Sequence, residues 1–407
     1  MGHHHGSVAL GGREARRARR ILLAITLPLL IGTLVGLVLL WPSGQSPVGS
    51  QPNPVDGPNF ADATVVEVTG EVGQEIRAEL HDGSGDVVPV QVAPEIYAAG
   101  IDTGDHIRVF FTASALGSGS PYVFVDFVRG TPLILLAVVY GLLVLAVARV
   151  RGLMAILGLL LSMAVVVVFL VPALMSGESP LLVTLVGASA MMFVAVYLAH
   201  GVSIRTTTAL LGTFAGLAIT TGLAGWATAA AELSGVGSET SIMLNAMLPG
   251  VGLRDLLLCG IVIAGLGALN DVTITQASAV WELHAASPKD SRLRVFRRAM
   301  RIGRDHIAST VYTLAFAYVG TALPTLLIVM LYDRPLGSTL TAGEIAEEVV
   351  RTLVSSIGLV LAIPATTALA AALVRTAPST ETGAAADSPR PDQSPAPGPG
   401  PDSIPGS

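Results

Sequence analysis

Of the 407 residues in the chain, 52 % are hydrophobic and only 13 % are charged, well outside the composition of a soluble globular domain. A chain that folds in water alone is therefore excluded, and a membrane protein is expected. The net charge of −6 says little about partners because the basic residues are segregated, and the single cysteine, Cys259, excludes a disulfide framework or a CxxC metal or redox motif.

Residues 1–20 form a basic N-terminal segment. It opens on MGHHHG, which reads equally as a native histidine-rich tip or a tag remnant, and continues through REARRARR. The apolar run that follows, about 21–41, is long enough to cross roughly 30 Å of hydrocarbon. It is too long for the apolar core of a secretory signal, and no small-residue cleavage site follows Trp41, so an uncleaved anchor is expected. A linker rich in Pro, Gly and Ser, PSGQSPVGSQPNPVDGPN, fills most of 42–60.

Residues 61–130 change character. The alternating runs ATVVEV, QEIRAEL, VVPVQV, HIRVFF and YVFVDFV are separated by Gly/Asp turns such as HDGSGD and IDTGDH, the signature of five strands in a small all-β domain. Five strands in this length suit an OB-like barrel. Period-two alternation turns Val66, Val68, Val90, Val109, Phe111 and Val125 inward. His81 and His106 belong to different turns and lack metal-ligand spacing, so they read as surface histidines and no metal site is assigned.

Seven further apolar runs follow within 131–374, at about 131–149, 152–174, 180–199, 206–228, 254–283, 307–332 and 346–374. The expected fold class is a mostly α, polytopic helical membrane bundle of about eight transmembrane helices, with the small all-β OB-like domain outside the membrane between the first and second. With the N-terminus inside, seventeen of the 23 Lys and Arg residues fall on the cytoplasmic side, as the positive-inside rule requires. Both termini are then cytoplasmic, and the plasma membrane is the expected location. In RLRVFRRAMRIGR, Leu293, Phe296, Met300 and Ile302 interleave with arginines, which suits a helix lying on anionic headgroups near 292–304. Topology explains this basic segment, so no nucleic-acid partner is expected. Pro324 and Pro364 fall inside the seventh and eighth runs, where each removes a backbone hydrogen bond and favours a kink. The tail, 375–407, has almost nothing to bury and is expected to be disordered.

The sixth run is the most polar. GLGALNDVTITQASAVWEL, residues 265–283, holds Asn270, Asp271, Thr275, Gln276, Ser278 and Glu282. On a helix, Gly260, Ala264, Gly267, Ala268, Asp271, Thr275, Ser278 and Glu282 share one face, while Asn270 and Gln276 diverge from it. Asp271 lies roughly 20 Å along the helix from His284, near mid-depth. A carboxylate there costs on the order of 3 kcal/mol even on the lenient insertion scale. The stripe is therefore expected to face the bundle interior, with Asp271 paired, hydrated or protonated. All six polar residues are candidate substrate- or ion-binding residues. The plainer alternatives are an Asp271 that only hydrogen-bonds a neighbouring helix and a Glu282 solvated at the interface. At the start of the seventh run, Arg304, Asp305 and His306 are candidates for a cytoplasmic gate, against an Asp merely favoured by the helix dipole.

GALNDVTITQASAVWEL, together with RIGRDHIASTVYTLAFAYVGTALPTLLI at 301–328, resembles the YibE/F-like family of bacterial membrane proteins in its actinobacterial form. The likeness extends over nearly the whole chain, from the anchor through the external β segment to the bundle with its Asp-containing helix. It implies architecture and membrane location rather than a reaction, and it singles out GRDH and NDVTITQ as the stretches to carry over. No GxSxG, HExxH, Walker A or dinucleotide motif is present, so no catalytic residue and no cofactor are assigned. The leading expectation is a transporter or permease with a proton- or cation-linked site at Asp271. The alternative is a non-transporting assembly or envelope-signalling protein that binds an external protein partner through its β-domain, with an intramembrane enzyme third. The lipid bilayer is the one partner the composition requires, and the oligomeric state is left open.

Overall fold

The structure, a computed structural model, describes residues 12–42, 48–50, 57–68, 75–113, 120–332 and 335–374. The histidine-rich tip, most of the linker and the tail from 375 lie outside the described residues. Helix α1 (Gly12–Leu39) runs unbroken from the basic segment into the apolar anchor, so the arginines ahead of the first span are part of its helix.

Strands β1 (Phe60–Val68), β2 (Glu75–Leu80), β3 (Val87–Gln91), β4 (His106–Phe111) and β5 (Tyr122–Phe127) fall on the five alternating runs. They close a barrel in the order β1-β2-β3-β5-β4. β1 pairs antiparallel with both β2 and β4, β3 pairs parallel with β5, and a short helix, α2 (Pro94–Ala99), joins β3 to β4. Val65, Ile76, Ala78, Val90, Ile107 and Val109 fill the barrel core.

Of the residues expected to point inward, Val90 and Val109 lie in that core and Val68 packs partly buried against it. Phe111 is half-buried, its ring centroid 5.3 Å from that of Tyr122. Val66 and Val125 do not belong to the core, because each is the extra residue of a β-bulge. Val65 pairs with Ala78 and Glu67 with Arg77, while Val109 pairs with Phe124 and Arg108 with Asp126. A bulge resets the alternation. Val65 and Val68 therefore both reach the core side, as do Phe124 and Phe127, and Val66 is left 38 % exposed.

The chain beyond the barrel is helical: α3 (Gly130–Val165), a π-helical turn (Val166–Leu170), α4 (Val171–Met175), α5 (Pro180–His200), α6 (Ile204–Ala230), α7 (Glu239–Met247), α8 (Leu253–Ala286), α9 (Arg292–Thr321), α10 (Leu323–Met330), α11 (Leu336–Leu340) and α12 (Gly343–Leu373). Among the described residues, six helical segments are long and apolar enough to cross a membrane, and α9 with α10 make a seventh if that bent pair is one span. Helices α6, α8 and α12 form the central seam. A Cβ on Gly216 would stand 2.8 Å from Leu269 Cδ2 and 2.9 Å from Ala362 Cβ, and one on Gly358 or Gly212 would run into Thr220 or Thr366. In lipid, where tails are as apolar as Leu, such close approach supplies the van der Waals contact that holds helices together. The Thr213 and Thr273 hydroxyls meet at 2.6 Å inside the seam, tying α6 to α8.

The stretch Gly130–Met175 runs for 46 residues. It is not straight: Arg149 has φ 54° and ψ −133° within α3. A Cβ on Gly152 would lie 2.6 Å from the Val144 carbonyl oxygen, although eight residues of straight helix cover about 12 Å. The chain therefore folds back sharply at Arg149, between the runs 131–149 and 152–174. Helix α9 joins the basic segment to the apolar stretch and bends by 65° into α10. Pro324 sits in the first turn of α10, where its ring conflicts with a helical carbonyl four residues earlier. Helix α12 continues through Pro364 without interruption.

Candidate functional site

Helix α8 gathers its polar stripe on one face, but that face is the outer one. Leu269, Val272, Thr273, Gln276 and Val280 are buried, whereas Gly267, Asp271 and Glu282 are exposed and Thr275 and Ser278 half-buried. The Asp271 side chain is 69 % exposed. The expectation that the stripe faces the interior of its own bundle is thus corrected. The seam at Gly216, Leu269 and Ala362 requires small and aliphatic groups, so the apolar side of α8 turns inward. Periodicity identifies residues that share a face. In a membrane it does not say which face is inner, because lipid and protein interior are both apolar.

Across the stripe, Asp271 Oδ2 lies 3.7 Å from His306 Nε2 on α9. This exceeds hydrogen-bond length, and Nε2 is closed from solvent with no hydrogen-bond partner. Asn270 Oδ1 is likewise buried without a partner. Of the three gate candidates, only His306 meets the stripe, and Arg304 and Asp305 are exposed on α9.

Gln276 plays a different part. It is only 2 % exposed, and its Nε2 donates to the Ala299 carbonyl at 2.9 Å. Gly303 leaves room for it: a Cβ there would stand 3.2 Å from the Gln276 amide and 2.8 Å from Ile363 Cγ2. This amide clamps α9 to α8 and so positions His306 beside Asp271. The turn between the two helices is fixed as well. Asp290 pairs with Arg294 at 3.0 Å and Arg298 at 2.7 Å, and these guanidinium hydrogen bonds hold its carboxyl below the usual carboxylate range. Ser291 caps α9 by accepting the Arg294 N–H at 3.3 Å.

A charged group on α12 escaped the sequence reading. Arg351 Nε lies 3.3 Å from Glu348 Oε1 without hydrogen-bond geometry, and a Cβ on Gly260 of α8 would stand 3.3 Å from Arg351 Nη1. Glu348 also borders an apolar cavity of about 310 Å³ between the α9–α10 elbow and α12, with Tyr318, Leu326 and Ile345. The motif EEVVR opening an otherwise apolar run was the available signal, an acid and a base three residues apart on one face.

In the barrel, His81 and His106 converge after all. Thr64 Oγ1 lies 2.8 Å from His81 Nε2 and 3.1 Å from His106 Nδ1, because β1 is flanked by both β2 and β4. Among the described residues, no group of three or more His, Cys, Asp or Glu side chains is gathered to hold a metal.

The long apolar helices, their small-residue seam and an acid–base pair lodged between two of them define a multi-helix membrane-embedded protein that carries a small β-barrel. The chain belongs to the YibE/F-like protein family, whose model matches residues 136–376, more than half its length. The match covers the bundle from α3 onward and leaves α1 and the barrel outside, a shorter extent than the resemblance in the sequence implies. No curated protein matches the chain, and no solved structure does.

Proposed function

We propose that this protein is a proton- or cation-linked permease whose exchangeable site is Asp271 with His306. One observation carries the reading: an acid within the sixth apolar run and a base at the start of the seventh, on different helices, meet 3.7 Å apart with no hydrogen bond between them. A bare carboxylate in hydrocarbon is costly, and a bound proton or cation removes that cost, so occupancy is coupled to what covers the stripe. Thr275 and Ser278, one and two turns along the same face, offer oxygen ligands. The break at Arg149 and the α9–α10 bend support eight spans. The arginine distribution supports a plasma-membrane orientation with both termini cytoplasmic. The barrel order, the parallel β3–β5 pair and α2 between β3 and β4 support an OB-like extracytoplasmic domain.

The test is ion flux in proteoliposomes. The wild-type chain should dissipate an imposed proton or sodium gradient. Asp271→Asn should abolish the flux with the protein still inserted, and Ser278→Ala should weaken it. Full activity in Asp271→Asn, with loss in Asp271→Leu, would make Asp271 a structural hydrogen-bonding residue instead.

The outward turn of the stripe favours a second reading. A flank carrying Asp271 and Glu282 suits contact with another membrane protein, in a non-transporting assembly whose barrel binds an external partner. Absence of any flux, with a stoichiometric partner retained on purification, would support it.

A further inference from the structure

At the basic end of the bundle, away from Asp271, a cavity of about 430 Å³ opens between α1 and the junction of α5 with α6. Its size falls within the roughly 300–1,000 Å³ of small-molecule sites. Arg16 and Arg19 line it, with the hydroxyls of Tyr197, Ser203 and Thr207. Leu22, Leu23 and Ile204 supply apolar wall. From Arg16 to Thr26 the α1 lining passes from cationic to apolar over about 15 Å of helix. Ser203 caps α6, and that 27-residue helix directs its positive dipole end at the same place.

Topology alone accounts for arginines at this end. It does not account for Thr26. This residue lines the cavity, is only 6 % exposed, and its hydroxyl has no hydrogen-bond partner. Thr33, two turns further on, shows the usual arrangement by donating to the Leu29 carbonyl at 2.8 Å. The hydroxyl is closed from solvent as the side chain stands, and a turn about χ1 would bring it to the cavity wall, where a ligand acceptor would satisfy it.

We infer that this cavity binds an anionic phospholipid. The phosphodiester sits at Arg16, Arg19 and the start of α6. Thr26, turned about χ1 toward the cavity, donates to an ester carbonyl deeper in the site, and an acyl chain lies along Leu22, Leu23 and Ile204. A free phosphate shares the first contact but leaves Thr26 and the apolar wall unused.

The experiment titrates purified full-length protein, in phosphatidylcholine-containing micelles, with phosphatidylglycerol, and reads the thermal unfolding midpoint. Phosphatidylglycerol should raise the midpoint saturably, and further phosphatidylcholine or inorganic phosphate should not. Loss of two charge-assisted contacts in Arg16→Gln/Arg19→Gln should raise the half-saturating concentration roughly tenfold or more, while Arg17→Gln/Arg20→Gln, which removes equal charge outside the cavity, should leave it within about twofold. Thr26→Val should weaken the response and Thr26→Ser restore it, and this pair decides the matter if the arginine variants fail to insert. An equal gain with phosphatidylcholine, equal losses in both arginine pairs, or no difference between Thr26→Val and Thr26→Ser would overturn the inference. A gain reproduced by inorganic phosphate would overturn the lipid assignment.

Discussion

Asp271, Gln276 and Asp290 stand within twenty residues of one another and illustrate three fates for a polar group in this chain. Asp271 lies on the outer flank, where hydrocarbon would cost it on the order of 3 kcal/mol. Gln276 is consumed by a backbone carbonyl of the next helix. Asp290, outside the apolar segments, is held by two arginines that depress its pKa. A carboxyl depressed in the folded state contributes stability above its unfolded pKa, about 4, and loses it as pH falls through the lower folded value. Amide-exchange protection across 287–298 should therefore hold from neutral pH down to about pH 4 and decline below it. Asp290→Asn should show the same decline already at pH 7. The Gln276 clamp gives a packing test. Gly303→Ala presses a methyl on Ile363 and on a Gln276 amide that cannot retreat without losing its hydrogen bond. Overpacking of this kind costs about 1–3 kcal/mol, read as a lower unfolding midpoint in detergent. Gly320→Ala meets nothing within 4 Å and should leave the midpoint unchanged or slightly higher.

Individual elements were legible where the chemistry is local. The five alternating runs became five strands, and the break between 149 and 152 appears as the backbone reversal at Arg149. The misses have physical causes. A bulge inserts one residue without any mark in a hydrophobicity pattern, so Val66 and Val125 were assigned to the core when Val65 and Phe124 belong on that side. The consequence is measurable. Val65→Ala should expose β1, β2 and β4 to faster amide exchange, with a destabilisation of about 1–3 kcal/mol, while Val66→Ala should change exchange little. Both basic segments are helical, as parts of α1 and α9; over 292–304 the apolar residues interleaved with arginines already point to a helix, whereas in REARRARR charge reports sidedness and not backbone conformation. Ser291, immediately ahead of the second, caps that helix by accepting the Arg294 N–H.

Over the whole molecule, composition and arginine bias gave the membrane class, and the family match over 136–376 agrees with it. The inner side of α8 was not legible, because it depends on which surface interlocks with Gly216 and Ala362, a property of three helices at once. If the spans number eight, the turn at Ser84 in the barrel and Lys289 between α8 and α9 face opposite compartments. Cysteines introduced at these two exposed positions in a Cys259→Ala chain should then react with an impermeant maleimide from opposite sides. Labelling of both from one side would remove the topology. The permease reading makes a stronger demand, since transport requires Asp271 to be reached by water from each side in turn. The direct measurement is a cysteine at Thr275 or Ser278, in the Cys259→Ala background, tested with an impermeant thiol reagent in right-side-out and inverted vesicles. The account expects each position to be modified from both sides, with Asp271→Asn shifting the balance toward one. Protection from both sides, with reaction only to a lipid-soluble reagent, would contradict it and leave the stripe as a contact surface within the membrane.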